Sequence, residues 1–221
     1  VTSRGEDLVP VLRRVLTNHL TEAFSKHPTQ DTPAFVEFYA CEWRHYVESA
    51  KLLDRVFLYF HRHHILREKD EGNVAILNVY DYCMCIWRKR VVGAFHEGIT
   101  EGCVKKLVMG SSDVDVSAVA TVRDSLVAMR FVNPETADAE NAVYEAYLAQ
   151  PILAAVRLDA ARGLHERDGM KGSETMDQRR SAMKARFEAC LLPATVDILL
   201  QTYDDAAGLN EQGAKAADND A

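Results

Sequence analysis

The chain has 221 residues, 48% hydrophobic and 27% charged, which is enough apolar material for one or two cored domains and argues against wholesale disorder. A formal net charge of −7 excludes a general nucleic-acid or membrane-surface binder, since both need a basic face. No apolar run reaches bilayer length and no basic-then-apolar leader opens the chain, so neither a nucleic-acid nor a membrane partner is expected. The chain starts at Val1 rather than methionine, as a piece of a longer protein would. Cys41, Cys83, Cys85, Cys103 and Cys190 are odd in number and contain no Cys-x-x-Cys, which points to buried free thiols in a cytoplasmic or nuclear protein.

From the N-terminus, residues 6–24 predict a helix with Leu8, Val11, Leu12, Val15, Leu16, His19 and Leu20 on one face and Pro10 in its opening turn. "HPTQDTP" at 27–33 breaks it. Asp31 or Thr32 then caps the next helix, with Pro33 at its first position. That helix, over 34–66, carries Tyr39, Trp43, Tyr46, Ala50, Leu53, Phe57 and Phe60 at alternating steps of four and three. The alternation keeps one stripe on a partner, and the helix would run about 50 Å. Leu52, Val56 and Tyr59 form a second row, expected to widen the buried face.

The stretch ends in His61, His63 and His64. His61 and His64, with Glu68 beyond, could face one metal ion; a helix C-terminus also gathers basic side chains because they complement its dipole. No second cluster supplies further ligands, so no metal and no cofactor are expected.

"KDEGN" at 69–73 predicts a turn. A third helix follows from near Asn73, with Ile76, Tyr80, Cys83, Trp87 and Val91 inward and weak points at Gly93 and Gly98. Leu77, Met84 and Cys85 then fall on another side, flanked by Asn73, Asp81 and Arg88. This reads equally as a protein-binding patch or as a face covered by another helix of the same chain.

Further helices are predicted over 114–131, capped by Ser112 or Asp113, and over 135–150 behind Asn133-Pro134, with a kink at Pro151. Another runs from about 175 to 206, kinked or ended by Pro193. Residues 163–174 read as a polar, mobile loop and 208–221 as a disordered tail. Nothing alternates strictly between apolar and polar for five residues, so the fold class is all-α: an elongated bundle or stacked helical repeats. There is no phosphate-binding loop and no local nucleophile signature, so no catalytic residue is assigned and no enzyme is expected.

Residues 35–95 resemble the first repeat of a cullin. The likeness rests on Phe38-Tyr39 with Trp43 four positions on, Ser49 and Leu53, Tyr59-Phe60-His61-Arg62-His63, Arg67-Glu68, Tyr80 and Trp87-Arg88. The resemblance implies five-helix repeats: 1–97 as helices three to five of a first repeat, and 98–207 as a divergent second one. It also implies the stalk of a ubiquitin-ligase scaffold that holds a substrate-receptor adaptor, often of the BTB/POZ fold, through the second and fifth helices of the first repeat. A RING subunit would be recruited only through a C-terminal region that these residues do not resemble. The candidate adaptor contacts are Asn73, Ile76, Leu77, Tyr80, Asp81 and Met84, with Leu77 standing where adaptor-binding members often carry tyrosine. A helical tether or stalk outside ubiquitin ligation is the alternative, and a metal-dependent helical enzyme using His61 and His64 is a third reading.

Overall fold

A computed structural model describes residues 4–30, 32–73, 76–108, 115–129, 141–165 and 176–205, and every regular element in them is helical. α1 is Arg4–Phe24 and α2 is Pro33–Val56. α3 covers 58–70 as Leu58–Phe60, a π turn at His61–Ile65, and Leu66–Asp70. α4 covers 79–107 as Val79–Trp87, a π turn at Arg88–Val92, and Gly93–Leu107. α5 is Ser117–Ala128. α6 covers 142–165 as Ala142–Tyr144, a π turn at Glu145–Ala149, and Gln150–His165. α7 is Met176–Cys190, and α8 spans 193–205.

The four-three stripe of α2 meets its partner at Trp87 of α4. Ring centroids of Tyr39, Trp43 and Tyr46 stand 5.6, 5.3 and 4.7 Å from Trp87, and Phe24 of α1 packs edge-on at 5.6 Å. The polar atoms of this cluster are satisfied in one direction. Trp87 Nε1 donates to Tyr39 Oη at 3.1 Å, Tyr39 Oη lies 2.8 Å from Ser125 Oγ, and Ser125 Oγ donates to the Val122 carbonyl at 2.6 Å. Because Ser125 spends its one hydrogen on Val122, Tyr39 is the donor to Ser125. The relay pins α4, α2 and α5 together without leaving a buried dipole unpaired.

Further along, α4 crosses α2 closely because two glycines give it room. A Cβ at Gly98 would lie 2.7 Å from Gln30 Cβ, and one at Gly102 would strike Val36. Lys106, 5% exposed, is neutralised by Glu37 across the same crossing at 2.7 Å. α5, α6 and α7 close around the C-terminal half of α4, and α8 is tied to α7 by a two-pronged Arg180–Asp204 pair at 2.6 Å. Buried side chains from Leu16 to Tyr203 form one cluster.

Several expectations are corrected. α1 buries Leu16, Leu20 and Phe24, while Val11 and Val15 face outward at 46% and 56% exposure and Pro10 lies inside the helix. The long aromatic helix breaks at Phe57 and bulges at His61–Ile65. Its second row is exposed, with Leu52 at 61%, Val56 at 67% and Tyr59 at 76%, because from Lys51 to His64 no residue is buried. The third helix begins at Val79, not near Asn73, and Gly93 and Gly98 do not stop it.

Pro151 neither ends nor breaks α6. A proline cannot donate to the carbonyl four residues back, here that of Tyr147; Thr100 Oγ1 of α4 donates to it instead at 2.7 Å. The π turn at Glu145–Ala149 supplies the remaining slack. The capping Ser112 and Asp113, the Asn133-Pro134 pair and the tail 208–221 lie outside the described residues. Of the expected loop at 163–174, residues 163–165 belong to α6. The division between repeats at 97/98 falls inside Gly93–Leu107, and buried residues on both sides share the one cluster.

Candidate functional site

The candidate contacts gather where α4 begins. Asn78 starts the helix: its Oδ1 accepts from Asp81 N at 2.7 Å and its Nδ2 donates to Asp81 Oδ2 at 2.8 Å. Asp54 of α2 accepts from Tyr80 N at 3.3 Å. Two carboxylates thus complement the positive end of the helix dipole and fix the start of α4 against α2. Burial raises the Tyr80 hydroxyl pKa above its ordinary value, with Asp81 adding to the rise.

Ile76 and Leu77 precede this cap in extended chain, both half-buried. They help wall an apolar cleft of about 220 Å³ with Val9 and Leu12 of α1, Phe60 of α3 and Tyr82 of α4. Asn73 is exposed, and its side-chain amide reaches Glu68 Oε2 at 3.3 Å. Met84 is a correction: at 2% exposure it belongs to the core beside Cys83 and Trp87, so it presents nothing to a partner. Cys85, at 8%, is likewise covered by the chain's own helices. Of the six candidates, Ile76, Leu77, Tyr80 and Asp81 share one end of α4, Asn73 lies apart, and Met84 drops out. Phe60, Val9 and Tyr82 were missed, because the cleft joins elements far apart in sequence.

The histidines lie elsewhere on α3. His63 packs on Tyr59 and His64 on Phe60, with centroids 4.2 and 4.9 Å apart. Among the described residues no three of His, Cys, Asp and Glu converge as metal ligands would. The buried thiols are poor nucleophiles in place. Burial pushes Cys83 and Cys190 up to about 12, and raises Cys85 and Cys103 as well. No helix among the described residues is long and apolar enough to cross a membrane.

Residues 1–197 match the family model described as "Cullin: Cullin alpha solenoid domain". The chain is similar to Cullin-1 of Caenorhabditis elegans, 27% identical over 130 residues, covering 55% of this chain and 17% of the relative. Cullin-1 of Dictyostelium discoideum is 29% identical over 84 residues, covering 38% and 11%. Cell division control protein 53 of Saccharomyces cerevisiae is 22% identical over 116 residues, covering 52% and 14%. The matched region is thus less than a fifth of each relative's length. With an all-helical architecture and a family match over most of its residues, the chain belongs to the cullin family.

Proposed function

We propose that this chain is the stalk segment of a cullin-type ubiquitin-ligase scaffold in the cytoplasm or nucleus. It holds a substrate-receptor adaptor at the start of α4 and contributes no chemistry of its own. The observation that carries this reading is the uncovered apolar surface at that end. The cleft beside Leu77 and the outward row Leu52, Val56 and Tyr59 both lie where the chain's own helices leave off. Apolar surface left open beside a rigidly capped helix is what a protein partner buries. The adaptor is expected to be a small protein, with the BTB/POZ fold as the first candidate from the family resemblance.

The test uses the full-length protein, tagged and expressed in its source cells, as wild type and as Leu77→Arg. A small adaptor retained by wild type and reduced ~10-fold or more by the variant is the expected result, since a charge would enter an apolar contact. Circular dichroism of the variant has to match wild type. Equal recovery from both baits would remove Leu77 from the interface and the adaptor reading with it.

A further inference from the structure

On the far side of Tyr82 and Val9 the cleft gives way to a second depression of about 400 Å³, lined by Arg13 and Arg14 of α1 and Arg90 of α4. Val9 and Tyr82 are walls of both hollows, so the apolar cleft and the arginine groove are neighbours across a single side chain's width. None of the three arginines forms an ion pair with a described carboxylate, and no described Asp or Glu lines either hollow. In a chain of net charge −7, three unpaired guanidinium groups facing one groove form a local field opposite to that of the whole.

The local structure builds this grouping. Arg13 and Arg14 stand one turn beyond Pro10 and one turn before Thr17, on the flank of α1 that faces α4. Arg90 follows Tyr82 by eight residues, which in a regular α-helix would turn it about 80° away. The π turn at Arg88–Val92 advances less per residue and takes up part of that angle, keeping Arg90 on the groove. The arginine pair of α1 and the bulged arginine of α4 therefore converge although 76 positions separate Arg14 from Arg90.

We infer that the paired hollows receive one segment of a partner protein, in which a large apolar side chain fills the cleft at Leu77 and adjacent acidic side chains pair with Arg13, Arg14 and Arg90. The cleft, at about 220 Å³, is smaller than an ordinary small-molecule pocket and suits one or two side chains. The groove supplies three cations but nothing to coordinate a metal or to read a base. A free anion would use only the arginine half. An acidic segment with an apolar anchor uses both, and its carboxylates relieve the mutual repulsion of the arginines. That the partner is an adaptor rests on the function proposed above; the chemistry of the segment does not.

The full chain, immobilised and checked for native circular dichroism, would be panned against a displayed library of random peptides. The expected selection joins a large apolar residue to two or more Asp or Glu within a few positions. Fluorescein-labelled versions of the selected peptides would then bind wild type in a salt-sensitive way. They would lose ~10-fold or more with Arg13→Glu/Arg90→Glu, less with the milder Arg13→Gln/Arg90→Gln, and again ~10-fold with Leu77→Arg. Selection of neutral or basic peptides, failure to select any, or binding indifferent to the arginine changes would overturn the inference. So would displacement of the peptides by inorganic phosphate with phosphate binding intact in Leu77→Arg, which would leave an anion site only. Self-association of the chain that the charge reversal abolishes would instead assign the groove to a second copy. If full-length Leu77→Arg loses its adaptor while the charge-reversed protein keeps it, the adaptor reading stands and this inference falls.

Discussion

Trp87 is the residue on which the packing turns. It is fully buried, touches the aromatic side chains of two other helices, and starts the relay through Tyr39 and Ser125 to the Val122 carbonyl. Tyr39→Phe keeps the ring but strands the Trp87 N–H and removes the donor to Ser125. It is expected to cost about 1–3 kcal/mol, read as a lower denaturant midpoint with unchanged slope. An unchanged midpoint would mean that the relay adds nothing beyond shape. The buried acids set a second expectation. Cys83 and Cys190 rise from an ordinary value of 9.0 to about 12, and Tyr39 from 10.0 to about 12. Between pH 9 and 12 the unfolded chain gives up these protons and the folded chain keeps them. The unfolded state then binds fewer protons, and stability falls as pH rises through that window. Below pH 9 this contribution is fully present. Urea midpoints measured from pH 8 to 11 should decline, and a flat profile would contradict the burial of these groups. At neutral pH a thiol reagent should label Cys41, the one cysteine that is not buried, well before the other four.

At the scale of elements, α2 and α4 are held at close approach by Gly98 and Gly102 rather than by large interlocking side chains. Gly102→Leu has to push Val36 aside in a filled core, and a loss of about 1–3 kcal/mol is expected. A thermal midpoint equal to that of wild type would show that the crossing is looser than described. The aromatic stripe of α2 was legible from its spacing, because Tyr39, Trp43, Tyr46 and Ala50 repeat with the helix and all are buried. The row Leu52, Val56 and Tyr59 repeats equally well and is exposed. Periodicity tells which residues share a face, but not whether a neighbour reaches it. The bulges were not legible either. Pro151 announces an irregularity, yet only the fold shows Thr100 taking over the Tyr147 carbonyl, so that the helix continues instead of breaking. For the same reason Met84 looked like surface on a helical wheel: the wheel has no third helix on it.

At the scale of the whole molecule, the chain is a helical segment with one continuous core and one end less covered than the rest. The family was legible in the order of aromatic and basic residues over 35–95, since those residues make the contacts that define the packing. The cleft was not. Its walls come from α1, α3 and α4, and no spacing rule joins Val9 to Phe60 and Leu77. The central claim is that a partner docks at this end, and the most direct measurement is site-specific photocrosslinking in full-length protein. A photoreactive phenylalanine analogue would replace Leu77 in one protein and Leu158, 60% exposed on α6, in another. The account expects a discrete crosslink to a small adaptor from position 77 and none from position 158. The same product from both positions, or from position 158 alone, would contradict it.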